Sequence, residues 1–214
     1  MNPLWFKYPH DANTFNIDLQ FFYGDSILVS PVTVENATSV DAYFPDDLFY
    51  NFNTLELVRG RGANVTLTGI DLTDIPVHIR GGTVLPLRVE SAMTTTALRK
   101  KNFELVVAPG LDGTASGRLY VDDGVSISQA SGSITEVTMK FGNGELIVGG
   151  TFGRFTGDLV VERVSILGVQ SKPKGVTLGG ESVEKSRLEY DGQRKVLNVS
   201  VGVKMNKGFA VTFL

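Results

Sequence analysis

The sequence predicts an all-β chain: two antiparallel β-sandwich domains preceded by a short strand-and-helix segment. Three observations predict it. From Ser26 onward, apolar strand signals return about every 8–12 residues, the spacing of sandwiches. The joints between them carry turn chemistry, as in Pro45-Asp46-Asp47, Asn53-Thr54, Arg59-Gly60-Arg61-Gly62 and Asn143-Gly144, the last being a strong short hairpin signal. Apolar spacing with a helical period is confined almost wholly to residues 1–24.

That opening segment differs from the rest. Trp5-Phe6-Lys7-Tyr8 is an aromatic run closed by a Pro9-His10-Asp11 turn. Asn13 or Thr14 can cap a helix running to about Tyr23, because Phe15, Leu19 and Phe22 fall on one helical face and Gly24 supplies a stop. So short a segment cannot bury its own aromatics. A first β-domain follows, with strands expected at 27–29, 40–44, 49–52, 55–58 and 65–70.

Residues 75–87 organise the chain. Val77 and Ile79 alternate with His78 and Arg80, the two-residue period of a half-buried strand. Gly81-Gly82 permits positive φ or close backbone approach, and Pro86, lacking an N–H, belongs at a strand end or edge. Residues 92–101 are polar and threonine-rich, a natural linker ending in the solvated run Arg99-Lys100-Lys101. The second domain carries strands at 103–108, 114–121, 125–127, 134–141, 145–148, 159–167, 175–178, 182–190, 195–201 and 208–213. The expected organisation is therefore 1–24, 25–91, a linker 92–101, and 102–214.

Composition narrows the function. The chain has 214 residues, enough for a sizeable core, and a net charge of −3, which disfavours a non-specific nucleic-acid binder. Zero cysteines exclude disulfides, thiolate metal sites and cysteine nucleophiles. No apolar run reaches the roughly 18 residues of a membrane span. A Ser-His-carboxylate triad is disfavoured, since only His10 and His78 exist and no Gly-x-Ser-x-Gly elbow is present. Asp122-Asp123-Gly124 is the best local carboxylate cluster and reads as a hairpin turn before a calcium loop. Asp18 and Asp25 flank the helical stub. Tyr43-Phe44 and Phe49-Tyr50 are candidates for a sugar-stacking platform, with core packing the stronger reading. No catalytic, substrate-binding, metal or cofactor residue is assigned.

The sequence resembles glycoside hydrolase family 31. Residues 15–32, running Phe-Asn-Ile-Asp-Leu-Gln-Phe-Phe-Tyr-Gly-Asp-Ser-Ile-Leu-Val-Ser-Pro-Val, look like the stretch after that family's catalytic barrel. Pro3-Leu4-Trp5-Phe6 with Tyr8-Pro9 looks like the last barrel strand. Residues 40–45, 77–86 and 112–124 match further family blocks in order and spacing, and beyond Phe141 the likeness is mainly strand pattern. The resemblance, nearest to secreted fungal α-glucosidases, implies the C-terminal part of a retaining enzyme that releases terminal α-linked glucose. It implies a (β/α)8 barrel ahead of two β-sandwiches, with residues 1–24 as the remnant of the barrel's last strand and helix. Trp5, Phe15, Phe21 and Phe22 would be anchors buried against that barrel, which is the expected partner. The catalytic aspartates would lie upstream, so this chain alone would be inactive. A stand-alone carbohydrate-binding β-sandwich is the rival reading.

Three sequons, at Asn36, Asn64 and Asn198, are N-glycosylation acceptors if exposed in a secreted chain. The N-terminus lacks a basic region followed by an apolar stretch, so it is no secretory signal. A piece of a longer secreted protein reconciles the two facts.

Overall fold

The computed structural model describes residues 1–130 and 132–214. The chain forms two units, Met1–Gly81 and Gly82–Leu214.

The first unit holds β1 (Phe21–Tyr23), β2 (Ile27–Val29), β3 (Ser39–Phe44), β4 (Leu48–Asn51), β5 (Leu57–Arg59), β6 (Ala63–Thr68) and β7 (Val77–Arg80). Five strands make one antiparallel sheet in the order β1-β2-β7-β4-β5, and β3 pairs antiparallel with β6 as a second. Leu4, Phe22, Leu28, Ala42, Tyr43, Phe44 and Phe49 form the core. Phe44 of the smaller sheet meets Phe49 and His78 of the larger one edge to face, at centroid distances of 5.2 Å and 4.9 Å. Such pairs add about 1 kcal/mol beyond simple burial.

Residues 1–24 depart from expectation. Leu4–Phe6 and Ala12–Thr14 are single 3-10 turns, and Phe21–Tyr23 is extended. No barrel-type strand runs through Pro3–Phe6, and no helix reaches Tyr23. The cause is long-range. The amide of Gln20, a buried side chain, accepts from the Tyr43 N–H at 2.7 Å and donates to Ser30 Oγ at 2.9 Å. That clasp pulls the chain straight just before β1. Asn2 and Phe22 then exchange backbone hydrogen bonds of 2.8 Å in both directions. The helical spacing of Phe15, Leu19 and Phe22 is overridden by these contacts, and strand alternation turns Phe22 inward and Tyr23 outward.

The second unit is a single mixed sheet wrapped into two layers. It contains β8 (Thr83–Arg88), β9 (Phe103–Ala108), β10 (Ala115–Val121), β11 (Thr135–Gly142), β12 (Glu145–Thr151) and β13 (Val160–Ile166). It continues with β14 (Val176–Leu178), β15 (Glu181–Ser182), β16 (Leu188–Asp191), β17 (Val196–Lys204) and β18 (Phe209–Phe213). The order is β15-β14-β18-β12-β11-β10-β8-β9-β13-β17-β16. The two halves meet where β10 touches β8 at one parallel pair, Ser116 with Thr83. Residues of both halves, such as Met139 and Leu146 on one side and Leu105 and Val164 on the other, share one core.

Gly117 permits that junction, since a Cβ there would lie 2.1 Å from the Val84 carbonyl oxygen. Beyond Thr83, β10 no longer pairs with β8, so Pro86 sits where one side of its strand carries no ladder. The strand expected to close the first domain thus opens the second, and the division falls inside the Gly81-Gly82 break, with Gly82 at φ +86°. Within the expected linker, Thr95–Leu98 forms one turn of helix, α1, capped by Thr94. The strand expected at 125–127 is absent. Asp123 instead gathers that stretch into a loop, accepting from the Val125 and Ser126 N–H groups at 3.0 Å and 2.9 Å.

Candidate docking surface

The chemistry of the first unit concentrates in residues 1–24. Polar contacts fasten this segment to its sandwich. The Tyr8 hydroxyl donates to Asp47 at 2.9 Å. Burial, then the Asp47 charge, pushes the Tyr8 pKa far above the ordinary phenol value. The Tyr43 hydroxyl donates to Asp11 Oδ2 at 2.7 Å and accepts from the Asn13 amide at 3.2 Å, while Asp11 Oδ1 caps the second 3-10 turn through the Asn13 N–H. Burial and the Asp11 hydrogen bond raise the Tyr43 pKa. Lys7 pairs with Asp25 at 2.7 Å and holds that carboxyl below its usual range.

Held this way, the segment divides its apolar residues. Leu4 and Phe22 are buried in the unit's own core. Phe22 is therefore not an anchor reserved for another body. Phe21 is half-buried. Trp5 and Phe15 face solvent at 43% and 55% exposure, and Met1, Phe6, Leu19 and Tyr23 are exposed with them. Trp5 and Phe6 stack edge to face at 4.4 Å. Six large apolar side chains are exposed within these residues, which makes the segment the candidate docking surface.

A cleft of about 510 Å³ beside this surface is lined in part by Lys7, His10, Asp11, Tyr43 and Asp46. Its carboxylates are already engaged, Asp11 by Tyr43 and Asn13 and Asp46 by Arg59. Nothing in it supplies a free pair of carboxylates for glycoside chemistry.

The remaining candidates resolve individually. His10 is exposed in its turn. His78 is 1% exposed, its Nδ1 has no hydrogen-bond partner, and burial lowers its pKa to about 4. Asp122 accepts from Arg99 at 3.0 Å and from the Gly124 N–H at 2.8 Å. The Ser126 hydroxyl and the loop N–H groups hold the Asp123 carboxyl well below the usual range. Both carboxylates are consumed by the turn, and among the described residues no cluster of metal-ligating side chains forms. Tyr43, Phe44, Phe49 and Tyr50 are all buried, so they form no sugar-stacking platform. Sequence reasoning missed the Gln20 clasp and the Asp11–Tyr43–Asn13 network. Neither leaves a local signal, because apart from the Asp11–Asn13 cap the partners lie 10 to 32 positions apart.

Residues 1–85 match the family described as glycosyl hydrolase family 31 C-terminal domain. Residues 1–85 are a family 31 C-terminal domain. A probable alpha/beta-glucosidase of Neosartorya fischeri is 59% identical over 96% of this chain, and that of Aspergillus clavatus is 50% identical over 97%. An alpha-glucosidase of Schizosaccharomyces pombe is 35% identical over 98%. This chain spans only 22%, 23% and 22% of those three proteins, and it corresponds to their C-terminal region. Among solved structures, a glucosidase II alpha subunit bound to Glc1Man2 superposes with a TM-score of 0.84 at 26% identity, covering 99% of this chain and 25% of that one. A family 31 dextranase of Flavobacterium johnsoniae shares the fold, with a TM-score of 0.77 at 24% identity over 99% of this chain and 28% of that one. The match to the family's C-terminal domain ends at residue 85, whereas the likeness in fold to these solved structures runs on through the second unit.

Proposed function

We propose that this chain is the C-terminal part of a secreted, retaining α-glucosidase, and that its N-terminal segment seats the catalytic barrel. In this reading a nucleophilic aspartate and an acid/base aspartate lie on the barrel. There they cleave terminal α-linked glucose by double displacement, with the two carboxyl groups roughly 5–5.5 Å apart. The C-terminal chain binds no substrate and performs no step of its own. It supports the barrel.

The observation that carries this reading is the exposed apolar set Met1, Trp5, Phe6, Phe15, Leu19 and Tyr23 on a chain that spans about a fifth of its fungal relatives. Burying one such aromatic against a partner contributes about 2 kcal/mol. The engaged state of Asp11, Asp46, Asp122 and Asp123 supports the absence of a separate hydrolytic site in this chain. The burial of Tyr43, Phe44, Phe49 and Tyr50 weighs against a stand-alone carbohydrate-binding module, which needs exposed rings.

The test is association. The purified chain is mixed with the separately produced catalytic portion of the parent enzyme and followed by sedimentation. A complex that Trp5→Asp plus Phe15→Asp abolishes is the expected result. A complex indifferent to those changes contradicts the assignment of the surface.

A further inference from the structure

We propose that two copies of this chain pair through the free edge of β6, strand against strand, about a two-fold axis at Thr66. The inference rests on the backbone of the first unit and is independent of the glucosidase reading.

The two sheets of the first unit have four strand edges, at β1, β5, β3 and β6. An open edge offers a row of unpaired N–H and C=O groups to any other strand, and folded chains guard such rows. Three of these edges are guarded. Asn2 bridges to Phe22 and covers β1. β5 is three residues long and carries Arg59, ion-paired with Asp46. On β3, the Gln20 amide takes both backbone groups of Tyr43, accepting from its N–H at 2.7 Å and donating to its carbonyl at 3.3 Å.

β6 differs. It pairs with β3 on one side, and among the described residues no strand pairs with it on the other. Five of its six residues are exposed, and residues 62–70 include no charged side chain and no proline. The Gln20 contact also identifies the free groups. Antiparallel ladders alternate between residue pairs that exchange hydrogen bonds and pairs that do not. Tyr43, opposite Asn64, spends its N–H and carbonyl on Gln20, so those two residues form a non-bonded pair. By alternation, the N–H and carbonyl groups of Asn64, Thr66 and Thr68 then point away from β3. Val65, on the core side with Leu67, is still 40% exposed, so the sandwich is open along the same edge.

A second copy of β6 fits this edge. Run antiparallel, Thr66 faces the same residue of the second copy and Asn64 faces Thr68, each pair exchanging two hydrogen bonds. Val65 then lies beside Leu67 across the new ladder. Neither strand brings a charge, so no like charges oppose each other across the axis. The pairing consumes the free β6 edge of both copies and therefore closes as a dimer. One strand pair is small beside the roughly 1,600 Å² of a standard interface, so the association is weak, with a Kd on the order of 100 μM.

The test is sedimentation equilibrium of the 214-residue chain, up to about 1 mM. It is made in a bacterium lacking N-glycosylation, so that no sugar on Asn64 stands beside the edge. It carries Trp5→Asp and Phe15→Asp, so that the apolar surface of residues 1–24 does not contribute. A monomer–dimer equilibrium is expected. Asn64→Lys with Thr68→Lys sets like charges opposite each other across the axis and weakens the dimer at least about tenfold. Asn64→Lys with Thr68→Glu sets opposite charges there and restores the original affinity or better. Both positions are exposed, and an unchanged unfolding midpoint of the monomer verifies that each variant folds. A chain monomeric throughout, a dimer indifferent to the paired lysines, or a charge swap that fails to restore it overturns the proposal. Amides of Asn64, Thr66 and Thr68 that gain exchange protection only when the parent's catalytic portion is added also overturn it, because the edge then belongs to that polypeptide.

Discussion

His78 is the residue whose surroundings make the sharpest demand. It lies between the sheets of the first unit, edge-on to Phe44, with Nδ1 unpartnered. Burial lowers its pKa from 6.5 to about 4, so the folded state holds the neutral ring. The unfolded chain takes up a proton below pH 6.5 that the folded chain refuses until about pH 4. Stability from this group is therefore complete above pH 6.5 and lost as pH falls toward 4. The shift of 6.5 − 4 corresponds to about 3 kcal/mol. Denaturant titrations at pH 7 and pH 4 measure it: the stability of the wild type relative to His78→Leu drops by about 3 kcal/mol between them, and an unchanged difference refutes the account. Gln20 makes a second demand. Gln20→Ala leaves the Tyr43 N–H and the Ser30 hydroxyl without their partner. A loss of about 2–4 kcal/mol follows, read from the same titrations. Neither role was legible in the sequence. His78 reads as one polar position in an alternating strand, and nothing near Gln20 announces partners at Ser30 and Tyr43.

At the scale of elements, legibility followed locality. β11 alternates buried and exposed residues along its first six positions, and the Asn143-Gly144 turn takes positive φ at both residues, 51° and 73°, as its sequence demands. Where a local pattern competed with a distant partner, the partner won. The apparent helix through Phe15, Leu19 and Phe22 yields to the Gln20 clasp, and the apolar Val125 and Ile127 stand exposed on a loop drawn in by Asp123. The Gly81-Gly82 break was legible as a joint. Its place between two units was not, because the partners of β8 lie downstream. Gly117 carries the element-scale prediction. Gly117→Ala sets a Cβ against the Val84 carbonyl and parts β10 from β8. A destabilisation of about 3 kcal/mol is expected in thermal or chemical unfolding, with faster amide exchange along β8 and β10.

At the scale of the molecule, residues 1–24 divide their apolar side chains between two settings. Leu4 and Phe22 complete the core of the first unit, whereas Trp5 and Phe15 face outward. Deleting the whole segment therefore unfolds the first unit instead of tidying its surface. Trp5→Ser with Phe15→Ser leaves the unfolding free energy of the isolated chain within about 0.5 kcal/mol in denaturant titration. With the barrel seated on this segment as proposed, the same pair lowers the stability of the parent enzyme by about 2 kcal/mol or more. The central claim, that bond cleavage resides on polypeptide outside this chain, is tested most directly by turnover. The purified chain is assayed with a chromogenic α-glucoside, alone and after mixing with the parent's catalytic portion. The account predicts no release of chromophore from the chain alone and release once the catalytic portion is present. Steady turnover by the chain alone, surviving removal of any co-purifying polypeptide, contradicts it.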